Sequence, residues 1–258
     1  MFRVQIFSLI ILFTLAARGI PPVSLQDIDR QYESIQNTRE DLLQTESMIL
    51  EALEQSGVSE PLAWRLARTY FSLGKRSVEE AGKEYYRHCI ARADQAIQLN
   101  NQSAWGFYYR GLCRGKLGEM QGIWSSLSMI KPLKQDLKKA VKFDASVSKG
   151  GPHRALGKLY LELPGLLGGS VDKSVDHLKR AVALGPRFAD NYLFLAEALY
   201  EQGNYRAAKM TLVDLLKIIE ESDDYPSAQQ IRQDVQTLME KIDPWIESQT
   251  SHAQRDKN

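Results

Sequence analysis

From Val23 onward, apolar and polar positions alternate with a helical period almost everywhere, and no stretch sustains the period of two that a half-buried strand requires. Residues 25–56 place Ile28, Ile35, Leu42, Leu43, Ile49, Leu50 and Leu53 among charges, which predicts two amphipathic helices ending at Gly57. Ser59 and Pro61 then read as the cap and first turn of a third helix.

The sharpest unit is NYLFLAEALYEQGNYRAAKMTLVDLL. Its Tyr192, Leu195, Ala196, Leu199, Gly203, Ala208 and Leu212 fall at tetratricopeptide (TPR) spacings. Ala181 and Leu215 close successive copies 34 positions apart, the length of that repeat. The same helix ending recurs at Ala140 and Ala96, and the opening helices begin near Trp64, Trp105 and His153. The first three copies exceed the standard length, which predicts longer turns or longer second helices, while the fourth is standard. The expected fold is all-α: about four degenerate helical-hairpin repeats over 61–222, amphipathic helices over 20–60, a closing helix over 223–248 and a frayed polar tail over 249–258. Stacking is obligatory, because one helix pair cannot bury its own apolar face.

Residues 1–19 stand apart. Arg3 precedes an apolar run from Val4 to Ala17, broken only by Gln5, Ser8 and Thr14, with Ala17 and Gly19 at the −3 and −1 positions of a cleavage site. This reads as a secretory signal and predicts an exported, soluble protein; an uncleaved membrane anchor is the alternative. The run is shorter than the ~20 residues that span a bilayer. Charge adds little, since 33 basic residues face 32 acidic ones and no field favours nucleic acid.

Such a compartment permits a disulfide. Cys89 and Cys113 each lie twelve residues from a turn centred near Asn101, at equal height on neighbouring antiparallel helices. Either they are bridged or they are two buried thiols packing as small hydrophobes.

Chemistry is sparse. GLLGGS, residues 165–170, precedes Lys173 and Ser174, but Asp172 stands where a phosphate loop needs glycine, and Val171 with Asp172 breaks the nucleophile-elbow pattern. The turn reading makes Pro164 and Gly165 a helix end with Gly165 as left-handed cap, Leu166 and Leu167 packed beneath, and Ser170 an N-cap. His88, His153, His177 and His252 lack ligand spacing, so neither metal, cofactor nor catalytic site is expected. The five lysines of KPLKQDLKKAVK, residues 131–142, read as a solvated face or an anion patch.

Aromatics crowd the first three repeats. Most fit an inter-repeat core; Trp64, Phe71, Trp105, Tyr108, Tyr109, Trp124 and Tyr160 are the candidates for a ligand or partner groove. In FYYRG, Phe107, Tyr108 and Tyr109 point three ways, so at least one is expected to face a groove or solvent.

Residues 150–209 resemble the T component of tripartite ATP-independent periplasmic (TRAP) transporters. The resemblance rests on the Gly-Gly-Pro opening with Gly151 and Pro152, the Leu-Pro-Gly turn with Pro164 and Gly165, and the Gly-Gly-Ser helix start with Gly168, Gly169 and Ser170. It implies an all-helical periplasmic subunit that associates with an extracytoplasmic solute-binding protein and assembles as an oligomer. It also implies a cavity that holds or passes a hydrophobic or organic-acid ligand. The lipid-anchoring cysteine frequent in that family is missing after the apolar run. A generic exported scaffold binding peptide segments is the alternative.

Overall fold

The computed structural model describes residues 23–34, 38–221 and 227–255, and side chains 123–126 and 249–255 are not described. The signal-like segment 1–19 therefore lies outside the described residues. No described helix is long and apolar enough to cross a membrane.

Among the described residues there are eleven α-helices and no strand: α1 (Leu25–Tyr32), α2 (Arg39–Ser56), α3 (Glu60–Lys75), α4 (Glu79–Leu99), α5 (Ala104–Gln121), α6 (Ile123–Asp144), α7 (Val147–Glu162), α8 (Val171–Leu184), α9 (Ala189–Glu201), α10 (Tyr205–Glu220) and α11 (Ala228–Arg255). Pairs α3–α4, α5–α6, α7–α8 and α9–α10 are the four repeats. The extra length takes both expected forms. α4 and α6 are long second helices of 21 and 22 residues, and repeat three carries a lengthened turn containing the 3-10 segment Gly165–Leu167.

Local chemistry sets the boundaries. Thr38 and Asp41 form a capping box at the start of α2, and Gly57, with φ of 78°, ends it. Ser24, Ser103, Ser170 and Asn204 cap α1, α5, α8 and α10 through their side-chain oxygens. α11 runs through Pro244 to Arg255, seven residues beyond the 248 boundary expected for the closing helix.

The core is built in two connected parts. One joins α1 to α7 through Ile28, Leu42, Ile49, Leu66, Leu73, Leu137 and Leu156; the other joins α8 to α11 through Leu178, Leu199, Leu212, Leu215 and Ile242. Helices α7 and α8 close the gap between them. A Cβ on Gly157 would stand 2.5 Å from Leu178 Cγ, so glycine lets the two helices meet there. Cys89 of α4 and Cys113 of α5, both fully buried, form a disulfide with Cα atoms 6.3 Å apart.

Candidate functional site

The first helices of the repeats, α3, α5, α7 and α9, each pack against the next, whereas among the described residues the backbones of α4, α6, α8 and α10 do not approach one another in this way. In a stacked-hairpin solenoid, the row in mutual contact lines the inner, concave side. That inner row carries the candidate site.

At its N-terminal end, five sequence candidates converge. Trp64 of α3 stacks on Trp105 of α5 with centroids 4.5 Å apart and planes at 10°. Trp105 stacks in turn on Tyr109 at 5.9 Å, and Tyr109 touches Phe71 and Tyr108 at 6.0 and 5.1 Å. Tyr160 lies elsewhere, buried in α7 beside His177, and the side chain of Trp124 lies outside the described residues.

The expectation for FYYRG needs correction. Phe107, Tyr108 and Tyr109 are all no more than 5% exposed. Helix α5 is central, with α3, α4, α6 and α7 packed around it, so several directions lead into protein. On the inner side Tyr109 has Tyr32 of α1 and Arg68 among its electrostatic neighbours. Burial, followed by the Tyr32 and Tyr108 hydroxyls, pushes its own hydroxyl well above the ordinary tyrosine range.

Helix α1 is the roof of this region. Asp29 receives hydrogen bonds from Arg65 Nε and Nη2 at 3.0 and 2.6 Å and from Arg68 Nη2 at 2.8 Å. Partial burial works against its ionisation, but the Arg65 hydrogen bonds and both positive charges outweigh that and hold the carboxyl below its usual value. Tyr32 lies over the Arg68 guanidinium at 3.8 Å, and its hydroxyl is 2.7 Å from Ser72 Oγ. Arg154 of α7 extends the polar floor, donating to Asn191 Oδ1 at 2.9 Å and reaching the Tyr108 hydroxyl at 3.4 Å.

At the C-terminal end, α7, α9 and α11 border an open groove of about 660 Å³. Lys158, Phe194, Glu197, Asp234 and Lys241 give it mixed charge, and Lys158 Nζ sits 4.0 Å over the Phe194 ring. Burial raises the Glu197 carboxyl above its ordinary value, with Lys158 opposing.

The residues that carry the TRAP resemblance sit at turns and helix starts of the backbone. Gly151 and Pro152 start the regular part of α7 after left-handed residues Ser148–Gly150, and a Cβ on Gly151 would stand 2.7 Å from Tyr108 Oη. Pro164 caps the 3-10 segment containing Gly165. The left-handed residue is Gly168, with φ of 89°, in place of Gly165. Leu166 and Leu167 are also displaced from expectation: they are 100% and 43% exposed, because the 3-10 turn aims them outward. Gly169 donates to Pro164 O, and Ser170 Oγ accepts from the Lys173 amide. The donors of the would-be phosphate loop are thus used in capping.

Two features escaped the sequence reading. His153 and His177 meet with their Nδ1 atoms 2.8 Å apart, and burial depresses both, His177 to about 4, with His153, Arg180 and Lys138 adding repulsion. Nothing local marks them, since they are 24 positions apart. Asp136, the lone acid in the lysine run, is buried between Arg110 and Arg114 at 2.6 Å from each, while Lys134 and Lys139 lie over the rings of Tyr160 and Phe107. Among the described residues no group of three or more His, Cys, Asp or Glu is arranged to hold a metal.

A family model described as regulator of microtubule dynamics protein 1-3 matches residues 24–149, ending one residue before the stretch that resembles the TRAP component. No curated protein matches the chain. The structure of TTC0263, a thermophilic TPR protein of Thermus thermophilus, aligns with a TM-score of 0.63 at 16% identity, covering 84% of this chain and 99% of its own. The crystal structure of MamA gives 0.49 at 16% identity, with 78% and 98% covered. The fold is a TPR-type helical repeat.

Proposed function

We propose that the protein is a non-enzymatic scaffold that binds a segment of a partner protein along its inner face. The observation that carries this is the inner row itself: an aromatic floor edged by arginines at one end and an open mixed-charge groove at the other. Aromatic and arginine side chains are the usual anchors of protein interfaces. Affinity capture with Lys158→Glu/Lys241→Glu tests the reading. Recovery of the partner should fall at least about fivefold relative to wild type, the size expected when interface charges are reversed, and equal recovery would contradict it.

Within that reading, the resemblance of residues 150–209 supports the solute-binding protein of a TRAP transporter as the partner we propose, met on the extracytoplasmic side after removal of residues 1–19. The Cys89–Cys113 disulfide supports an oxidising compartment. Trp64, Trp105 and Tyr109 pack face to face, which favours docking of a segment over conduction of a hydrophobic or organic-acid ligand between them. Capture from envelope extract decides the narrower point: recovery of no solute-binding protein removes the transporter assignment and leaves the scaffold.

A further inference from the structure

Helix α1 covers the N-terminal end of the inner row through Asp29 and Tyr32. It packs on α3, a member of the inner row, and on α2. Its contacts to α3 have the character of a recognised peptide: one carboxylate, Asp29, shared by two arginines, and one aromatic, Tyr32, three positions later on the same helix face, laid over Arg68 and reaching Ser72. Eight residues are too few for a helix to persist alone in water, so α1 owes its form to docking.

The surface beneath is built for more than this helix supplies. Arg65 and Arg68 are 11% and 7% exposed at their side chains, and among the described residues Asp29 is the acid that pairs with both. Arg68 Nε is buried with no hydrogen-bond partner, although a guanidinium presents its donors as a fork suited to a second carboxylate oxygen. Removing α1 would uncover two cations beside Trp64 and Tyr32's former seat and leave them without their carboxylate, a face whose charge selects an anionic segment.

We infer that α1 is an internal stand-in for the partner, and that the partner segment is acidic and aromatic, presenting a carboxylate to Arg65 and Arg68 and a ring in the place of Tyr32. This rests on the scaffold reading and names its partner class. Binding then requires displacement of α1, which raises the apparent Kd by the inverse of the fraction of time α1 is undocked.

The test uses the full chain and a fluorescein-labelled peptide copying residues 23–34, VSLQDIDRQYES, read by anisotropy. Wild type should bind it at least about tenfold more weakly than Asp29→Ala/Tyr32→Ala, in which the tethered helix no longer competes. The same peptide with Asn for its Asp29 should lose that advantage. Equal affinity of the two proteins, or binding to neither, overturns the inference. Should the double variant not fold, Asp29→Asn serves with hydrogen exchange as readout: faster exchange confined to residues 25–32 is expected, and loosening that spreads through α3 to α5 would make α1 a structural part and sink the idea. The two readings fail separately. A captured partner that protects the inner row while residues 25–32 keep their wild-type protection removes the role of α1 only; one that protects only α4, α6, α8 and α10 removes the scaffold reading, whatever the peptide does.

Discussion

Trp64 and Trp105 lie face to face, 4.5 Å between centroids and 10° between planes, one from the first helix of repeat one and the other from the first helix of repeat two. This pair joins the first helices of two successive repeats, with Phe71 and Tyr109 making a second ring contact between the same helices. Arg65 covers the free face of Trp64 at 4.2 Å, joining the hydrophobic contact to the charged site beside it.

Trp64→Ala should therefore cost about 3 kcal/mol of folding free energy, from lost burial, the cavity left and the lost stacking. Trp64→Phe should cost clearly less. Urea denaturation checks both, and a loss under about 1 kcal/mol for the alanine variant would mean the repeats stack through other contacts.

The His153–His177 pair predicts a pH dependence. Both rings titrate below their unfolded value of 6.5, so between that pH and about 4 the unfolded chain holds protons that the folded chain refuses. Stability is full above pH 6.5 and falls as the pH drops toward 4, on the order of 2 kcal/mol once partial exposure is discounted. His177→Gln should flatten this part of the profile in thermal melts at about pH 4.5 and 7.5, on either side of the unfolded value; an unchanged slope would show that other groups govern it.

Reduction offers a third check. The disulfide closes a loop of about two dozen residues, for which chain entropy gives about 3 kcal/mol. Cys89→Ala/Cys113→Ala should unfold at correspondingly lower urea, and dithiothreitol should shift wild type the same way while leaving the double variant alone.

Asp136 holds Arg110 and Arg114 from a position 2% exposed. Asp136→Ala leaves two partly buried cations without it and should destabilise by about 3 kcal/mol. Replacing exposed Lys131 in the same run should change stability by less than about 0.5 kcal/mol. Comparable losses at the two positions would show that the lysine run acts as one electrostatic unit.

The repeats were legible because helix ends are local events: Ser170 with Asp172, Asn204, and Gly57 announce their roles within four residues. The placement of α1 was not, since Asp29 finds Arg65 and Arg68 across 36 and 39 positions and nothing near Asp29 signals it. The histidine pair was hidden for the same reason. FYYRG misled because a three-way aromatic array implies exposure only on a helix with an open side, and α5 is surrounded. Leu166 and Leu167 misled in the opposite sense, as apolar residues in a turn whose geometry carries them outward.

Cross-linking mass spectrometry of the captured complex, with a lysine-reactive reagent, tests the central claim most directly. Cross-links to the partner should concentrate on Lys75 and Lys158 of the inner row and on Lys241 beside it, while Lys83, Lys179 and Lys217 of the second helices stay unlinked. Partner cross-links confined to Lys83, Lys179 and Lys217 would contradict binding along the inner face.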